Sequence, residues 1–102
     1  MIIDAHAHIF PEVRGRIKDG ITRSAGYGKI RVGTDQILRV LPPTAIETVH
    51  PPEVLIEHMD WVGVDKTVLL QGTFYGECNR YAAEAIQSWP DRFLGAAFLD
   101  PW

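Results

Sequence analysis

The sequence predicts an α/β protein, the first three β/α units of a (β/α)8 barrel of the TIM type with a β-hairpin inserted after strand one. Three observations carry this reading. Apolar runs at Ile2–Ala5, Lys66–Gln71 and Phe93–Leu99 alternate with helical stretches over about 52–62 and 77–89. The second and third runs lack the polar alternation of a half-exposed strand, as expected for parallel strands covered on both faces. A full barrel of this kind takes roughly 250 residues. The 102 residues here therefore read as the N-terminal part (1–102) of a single domain, with about 12–49 as the insertion.

Each element has its own local signal. Ile2–Ala5 forms the first strand, and Phe10-Pro11 closes it because proline has no N–H to offer a ladder. Residues 12–27 are mixed and polar, with Gly15, Gly20 and Gly26, and are expected to form a long irregular loop. Lys29-Ile30-Arg31-Val32 alternates polar and apolar, Gly33-Thr34-Asp35 supplies turn chemistry, and Gln36–Leu41 runs extended to Pro42-Pro43, which makes a hairpin. His50-Pro51-Pro52-Glu53 starts a helix, since proline is tolerated in the first turn and an acid is favoured there. Leu55, Met59 and Val62 recur at helical spacing with Ile56 beside them, and Gly63 is the stop. The second helix, Glu77–Trp89, is rich in alanine and ends before Pro90. Trp61 and Trp89 are expected on helix faces packed against the sheet, and Asp100-Pro101 closes the third strand.

Composition narrows the function. A net charge of −3 and a pI near 5.7 argue against a nucleic-acid surface, and no Lys/Arg cluster appears anywhere to suit an anionic membrane. No apolar run is long enough to span a bilayer, and no basic segment precedes the apolar N-terminus as in a signal peptide. The single cysteine, Cys78, cannot form an internal disulfide, so a cytoplasmic location is the natural expectation.

The segment that carries chemistry is Asp4-Ala5-His6-Ala7-His8. Residues two apart on a strand project from one face, so His6 and His8 converge at the strand's end, where barrel enzymes keep their sites. Neutral imidazole is a common ligand of zinc and similar divalent ions. The small Ala5 and Ala7 point the other way, toward the helices. Asp4 shares the histidine face one layer deeper, either orienting a ligand or serving a structural partner. Gln71, at the end of the second strand, and Phe10 and Tyr75 nearby are the candidate substrate contacts. Trp102 could also reach the pocket, and Arg14 could hold a substrate carboxylate or simply lie on the surface. His50 and His58 have no barrel-mouth position and read as structural or solvated.

Ile3-Asp4-Ala5-His6-Ala7-His8-Ile9-Phe10-Pro11 resembles the opening of the amidohydrolase superfamily, closest to the amidohydrolase-2 branch that includes aminocarboxymuconate-semialdehyde decarboxylase. Met59–Lys66, Asn79–Ile86 and Pro90-Asp91-Arg92-Phe93 are similar to later passages of that branch, while 12–49 does not align. The resemblance implies a divalent metal, zinc most readily or manganese, with His6 and His8 as ligands. It implies further histidines and an acid/base aspartate at strand ends beyond this chain, so the catalytic residue itself is not assigned. The implied activity is hydrolysis or non-oxidative decarboxylation of a small carboxylate, amide or lactone. The implied partners are a small-molecule substrate and a possible second copy of the chain, with no nucleic acid and no membrane. The competing reading is a non-catalytic fragment or interaction module whose open sheet edge self-associates or needs a partner chain.

Overall fold

The computed structural model describes residues 1–99; Asp100, Pro101 and Trp102, and with them the expected strand closure and pocket tryptophan, lie outside the described residues. Among the described residues, seven strands and two helices follow in the order β1 (Ile3–Ala7), β2 (Arg14–Ile17), β3 (Gly20–Gly26), β4 (Lys29–Val32), β5 (Gln36–Arg39), α1 (Pro52–Val62), β6 (Lys66–Leu69), α2 (Asn79–Ser88) and β7 (Phe93–Gly95). They make two sheets. One is parallel, in the order β1-β6-β7; the other is antiparallel, β2-β3-β4-β5. The architecture is thus a mixed α/β domain in which strand, helix, strand, helix, strand alternate as expected around a larger excursion.

The local signals in the helices behave as their chemistry requires. Pro52 occupies the first turn of α1, and Gly63 takes a left-handed φ of 81° while its N–H reaches the Met59 carbonyl. That closure turns the chain into β6, and Lys66 and Thr67 of β6 align with Ile3 and Asp4 of β1. Leu55, Ile56 and Met59 of α1 and Ala85 of α2 pack against Ile9, Leu69 and Phe93 from the parallel sheet to form the first core. Phe93 and Leu69 are each 1% exposed. The helices cover one face of this sheet. Trp89 joins the core as expected, but Trp61 is 83% exposed, so its expected packing on the sheet is corrected. Trp61 stands four residues past Glu57 and eight past Glu53, on the outer side of α1, while Leu55 and Met59 take the inner one.

Two expectations fall short of the structure. The segment 12–27 is not an irregular loop: it supplies β2 and β3, which extend the β4–β5 hairpin into a four-stranded sheet. The signal was faint because, between inward Val13 and Ile17, the inward positions Gly15 of β2 and Thr22 of β3 hold small or polar residues. Thr22 is fully buried and accepts the Gly15 N–H at 2.9 Å while donating to the Phe74 carbonyl at 2.6 Å. A hydroxyl so paired can occupy a core position that hydropathy assigns to a loop. The third strand is also shorter than expected, ending at Gly95 rather than Leu99. Asn79 explains this, because its side-chain amide donates to the Phe98 carbonyl and accepts the Phe98 N–H, drawing the chain away toward α2.

The second core lies under the antiparallel sheet, where Phe10, Val13, Ile30 and Val32 are buried. Phe10 joins the two halves, since it exchanges both backbone hydrogen bonds with His50 at 3.0 Å. The loop after β6 is stitched to β2 by Arg14 N–H to Tyr75 O (3.0 Å) and Arg16 N–H to Thr73 O (2.8 Å). The excursion after β1 and the loop after β6 are therefore joined by backbone hydrogen bonds beside the end of β1.

Candidate metal centre at the end of the first strand

Ile9 and Ala7 turn into the helix-packed core, so the alternation of an extended chain sends His6 and His8 to the opposite side. The two rings meet edge to face with centroids 4.8 Å apart, and their Nε2 atoms are 3.0 Å apart. His8 Nδ1 lies 2.9 Å from the Leu70 carbonyl oxygen, at the end of β6. A carbonyl only accepts, so neutral His8 carries its proton on Nδ1 and presents a bare lone pair at Nε2. This is the arrangement by which a backbone carbonyl orients a metal-binding histidine. His6 Nε2 donates into that lone pair; as a ligand His6 carries its proton on Nδ1 instead, which frees Nε2.

The end of β1 is braced from a second direction. His50 Nδ1 donates to the His8 carbonyl at 2.8 Å. Burial pushes the His50 imidazole below its usual pKa; the bond to the His8 carbonyl opposes this, and His58 and His8 add to the fall. His50, expected to be structural or solvated and apart from the site, stands next to it. His58 lies 6.2 Å from it, ring to ring, on α1.

Tyr75 forms the side wall. Its ring stacks on Phe10 with centroids 4.2 Å apart and planes 11° from parallel, and it tilts against His8 at 5.2 Å. Phe74 meets it edge-on at 5.2 Å. Burial raises the Tyr75 hydroxyl pKa, which keeps it protonated at neutral pH. Phe10 is 1% exposed, so it supports Tyr75 from beneath. Gln71 lies nearby with its side chain engaged. Its amide nitrogen donates to Asn79 Oδ1 (2.7 Å) and the Ala96 carbonyl (3.2 Å), and its oxygen accepts the Cys78 N–H (2.6 Å). Asp4 accepts the backbone N–H of His6 at 3.0 Å, a local contact along exposed β1 rather than a bond to either imidazole. Arg14 is exposed and paired with Glu12 at 3.0 Å.

Two imidazole nitrogens 3.0 Å apart can both reach one ion at zinc–nitrogen distances of about 2.0–2.1 Å. Among the described residues no group of three or more His, Cys, Asp or Glu side chains is placed to hold a metal. The pair thus fits two positions of a coordination shell. Sequence reasoning named the pair and Tyr75, and the structure brings these side chains together. Sequence reasoning missed the Leu70 carbonyl and His50, whose roles are set by chain partners 62 and 42 residues from His8. Among the described residues no helix is long and apolar enough to cross a membrane.

No family model matches the chain, and no curated protein does. A solved structure does resemble it: a probable 2-pyrone-4,6-dicarboxylic acid hydrolase of Acinetobacter baumannii, determined with citric acid bound. The similarity has a TM-score of 0.56 at 25% identity and covers 97% of this chain but 29% of the hydrolase. The chain spans under a third of that protein's length.

Proposed function

We propose that this chain is the N-terminal portion of a barrel hydrolase in which His6 and His8 supply two ligands to a divalent metal, zinc or manganese, and that the substrate is a small carboxylate-bearing molecule. The observation that carries the reading is the His6–His8 geometry: two Nε2 atoms 3.0 Å apart, one with its lone pair aimed outward by the Leu70 carbonyl. The structural likeness to a dicarboxylic acid hydrolase supports the hydrolytic class over decarboxylation. When bound, a divalent ion polarises a substrate carbonyl and makes water acidic enough to supply a nucleophile at neutral pH.

This chain's own residues prepare the site. The Leu70 carbonyl holds His8 in its ligating tautomer, and His50 holds the backbone from which His8 projects. Tyr75, backed by Phe10, excludes water from one side of His8 and leaves an aromatic wall with a hydroxyl donor for a planar carboxylate or lactone. Residues for proton transfer and the remaining ligands belong to later strand ends of the barrel.

The test is a titration of the chain with zinc, and separately with cobalt(II), followed by NMR of the imidazole resonances. His6 and His8 are expected to shift together, and H6A or H8A to abolish the effect at both rings. Metal binding that bypasses both rings overturns the assignment. For the substrate class, the full-length protein is expected to open a dicarboxylate lactone, to stop on chelation and to recover on adding metal. Full activity after exhaustive chelation would sink the proposal.

A further inference from the structure

The strand register builds a feature that the linear sequence conceals. Arg14 of β2 aligns with Arg23 of β3, and Arg23 aligns with Arg31 of β4, so three arginines stand in one row across three strands. Arg16, Lys29 and Arg39 fall on the same face at two-residue intervals, and Lys29 faces Arg39 directly. Residues 12–41 contain seven basic and three acidic residues, a net +4, within a chain of net −3. The expectation that no Lys/Arg cluster exists is therefore corrected. The cluster is spread along the sequence and assembled only by pairing.

Like charges directly opposite one another weaken a sheet, so the row calls for negative charge from outside it. Arg14 has a carboxylate partner in Glu12, whereas Arg31 and Arg39 donate to the neutral carbonyls of Thr34 and Tyr27. Between the arginines lie two apolar side chains, Ile21 at 47% exposure and Ile37 at 43%. The row crosses three strands, about 10 Å at ordinary strand spacing, which is wider than one carboxylate and suits a macromolecular surface.

The complementary surface is present on the same chain. The outer side of α1 carries Glu53, Glu57 and His58 around exposed Val54 and Trp61. It sets two carboxylates beside exposed apolar surface, opposite in charge to a sheet face that sets arginines beside Ile21 and Ile37. Trp61 can also take an arginine across its ring face. We propose that a second copy of this chain docks here, the arginine face of the β2–β5 sheet of each copy lying on α1 of the other. Two such contacts related by a twofold axis close the pair. The proposal is independent of the metal site.

The experiment is sedimentation of the chain over a concentration series at 50 mM and 1 M NaCl, with the variants R23E and E57R. Both residues are exposed, and circular dichroism checks that the variants stay folded. The expected result is a mass of twice 11.5 kDa at low salt, returning to 11.5 kDa at high salt. Each variant alone is expected to dissociate at least tenfold more readily. An equimolar mixture of the two should recover association, because the carboxylate introduced in one copy then meets the guanidinium introduced in the other. A monomer at every concentration and salt overturns the proposal, as does a dimer indifferent to both variants. Heparin or single-stranded RNA bound through Arg23 by a chain that stays monomeric also overturns it and assigns the face to a polyanion.

Discussion

Replacing Tyr75 with alanine tests the wall that supports the candidate site. The ring is half-buried and makes three aromatic contacts, with Phe10 at 4.2 Å, His8 at 5.2 Å and Phe74 at 5.2 Å. Truncating a fully buried large aromatic costs about 3–5 kcal/mol, so half burial scales this to about 2 kcal/mol. The face-to-face pair with Phe10 adds about 0.5–1.5 kcal/mol beyond its area. The expected loss is about 2–3 kcal/mol, or roughly 10–20 °C in Tm for a domain of this size. The assay is urea and thermal unfolding by circular dichroism, with Y75F as the control. Phenylalanine keeps all three ring contacts and loses only the hydroxyl, so it should stay within about 0.5 kcal/mol of the parent. Y75A should also broaden the His8 ring resonances while leaving the His8 Nδ1 proton, donated to the Leu70 carbonyl, detectable. A Y75A loss below about 0.5 kcal/mol, equal to that of Y75F, would refute the stack as a structural support.

Three further outcomes follow from the same geometry. Thr67 is fully buried with its hydroxyl unpartnered among the described residues, so T67V should raise stability by about 1 kcal/mol; a loss of that size in chemical denaturation would contradict the assignment. A methyl at Gly15 would run into the backbone carbonyls of Thr73 and Phe74, and both belong to the wall that carries Tyr75. G15A should therefore cost about 1–3 kcal/mol and loosen the loop after β6, seen as faster amide exchange at Tyr75. The Cys78 thiol is pushed above its usual range, first by burial and then by Glu77 and Glu12. Its alkylation by iodoacetamide should rise with pH at a midpoint above that of free cysteine. Because the folded thiol holds its proton longer than the unfolded one, stability should fall as pH climbs from the ordinary thiol range through the raised value. An alkylation midpoint at or below the free-cysteine value would contradict this.

Much of the parallel half is legible along the chain because its signals act over a few residues. Gly63 stops α1 because it alone adopts the left-handed turn without a Cβ clash, and Pro52 sits where a missing N–H costs nothing. The apolar β6 and β7 segments need no partner to declare themselves. The antiparallel half is less legible. Gly15, Thr22 and Ser24 carry no hydrophobic period, and what holds them are hydrogen bonds to Thr22 from Gly15, from Thr22 to Phe74 and from Ser24 to Glu47. Distance along the chain, rather than weakness of the interaction, hides them.

The same division runs through the functional residues. That His6 and His8 share a face follows from the two-residue period of any strand, whatever the rest of the molecule does. Which nitrogen of His8 is free follows only from a carbonyl at Leu70, and the backbone it hangs from is braced only by His50. The arginines at 14, 23 and 31 are ordinary in sequence and become a charged row only through register. Local sterics and periodicity were set by the residues themselves. Tautomer, wall and surface charge were decided by which distant segments the fold placed within about 3–5 Å, the range over which hydrogen bonds and ring contacts act.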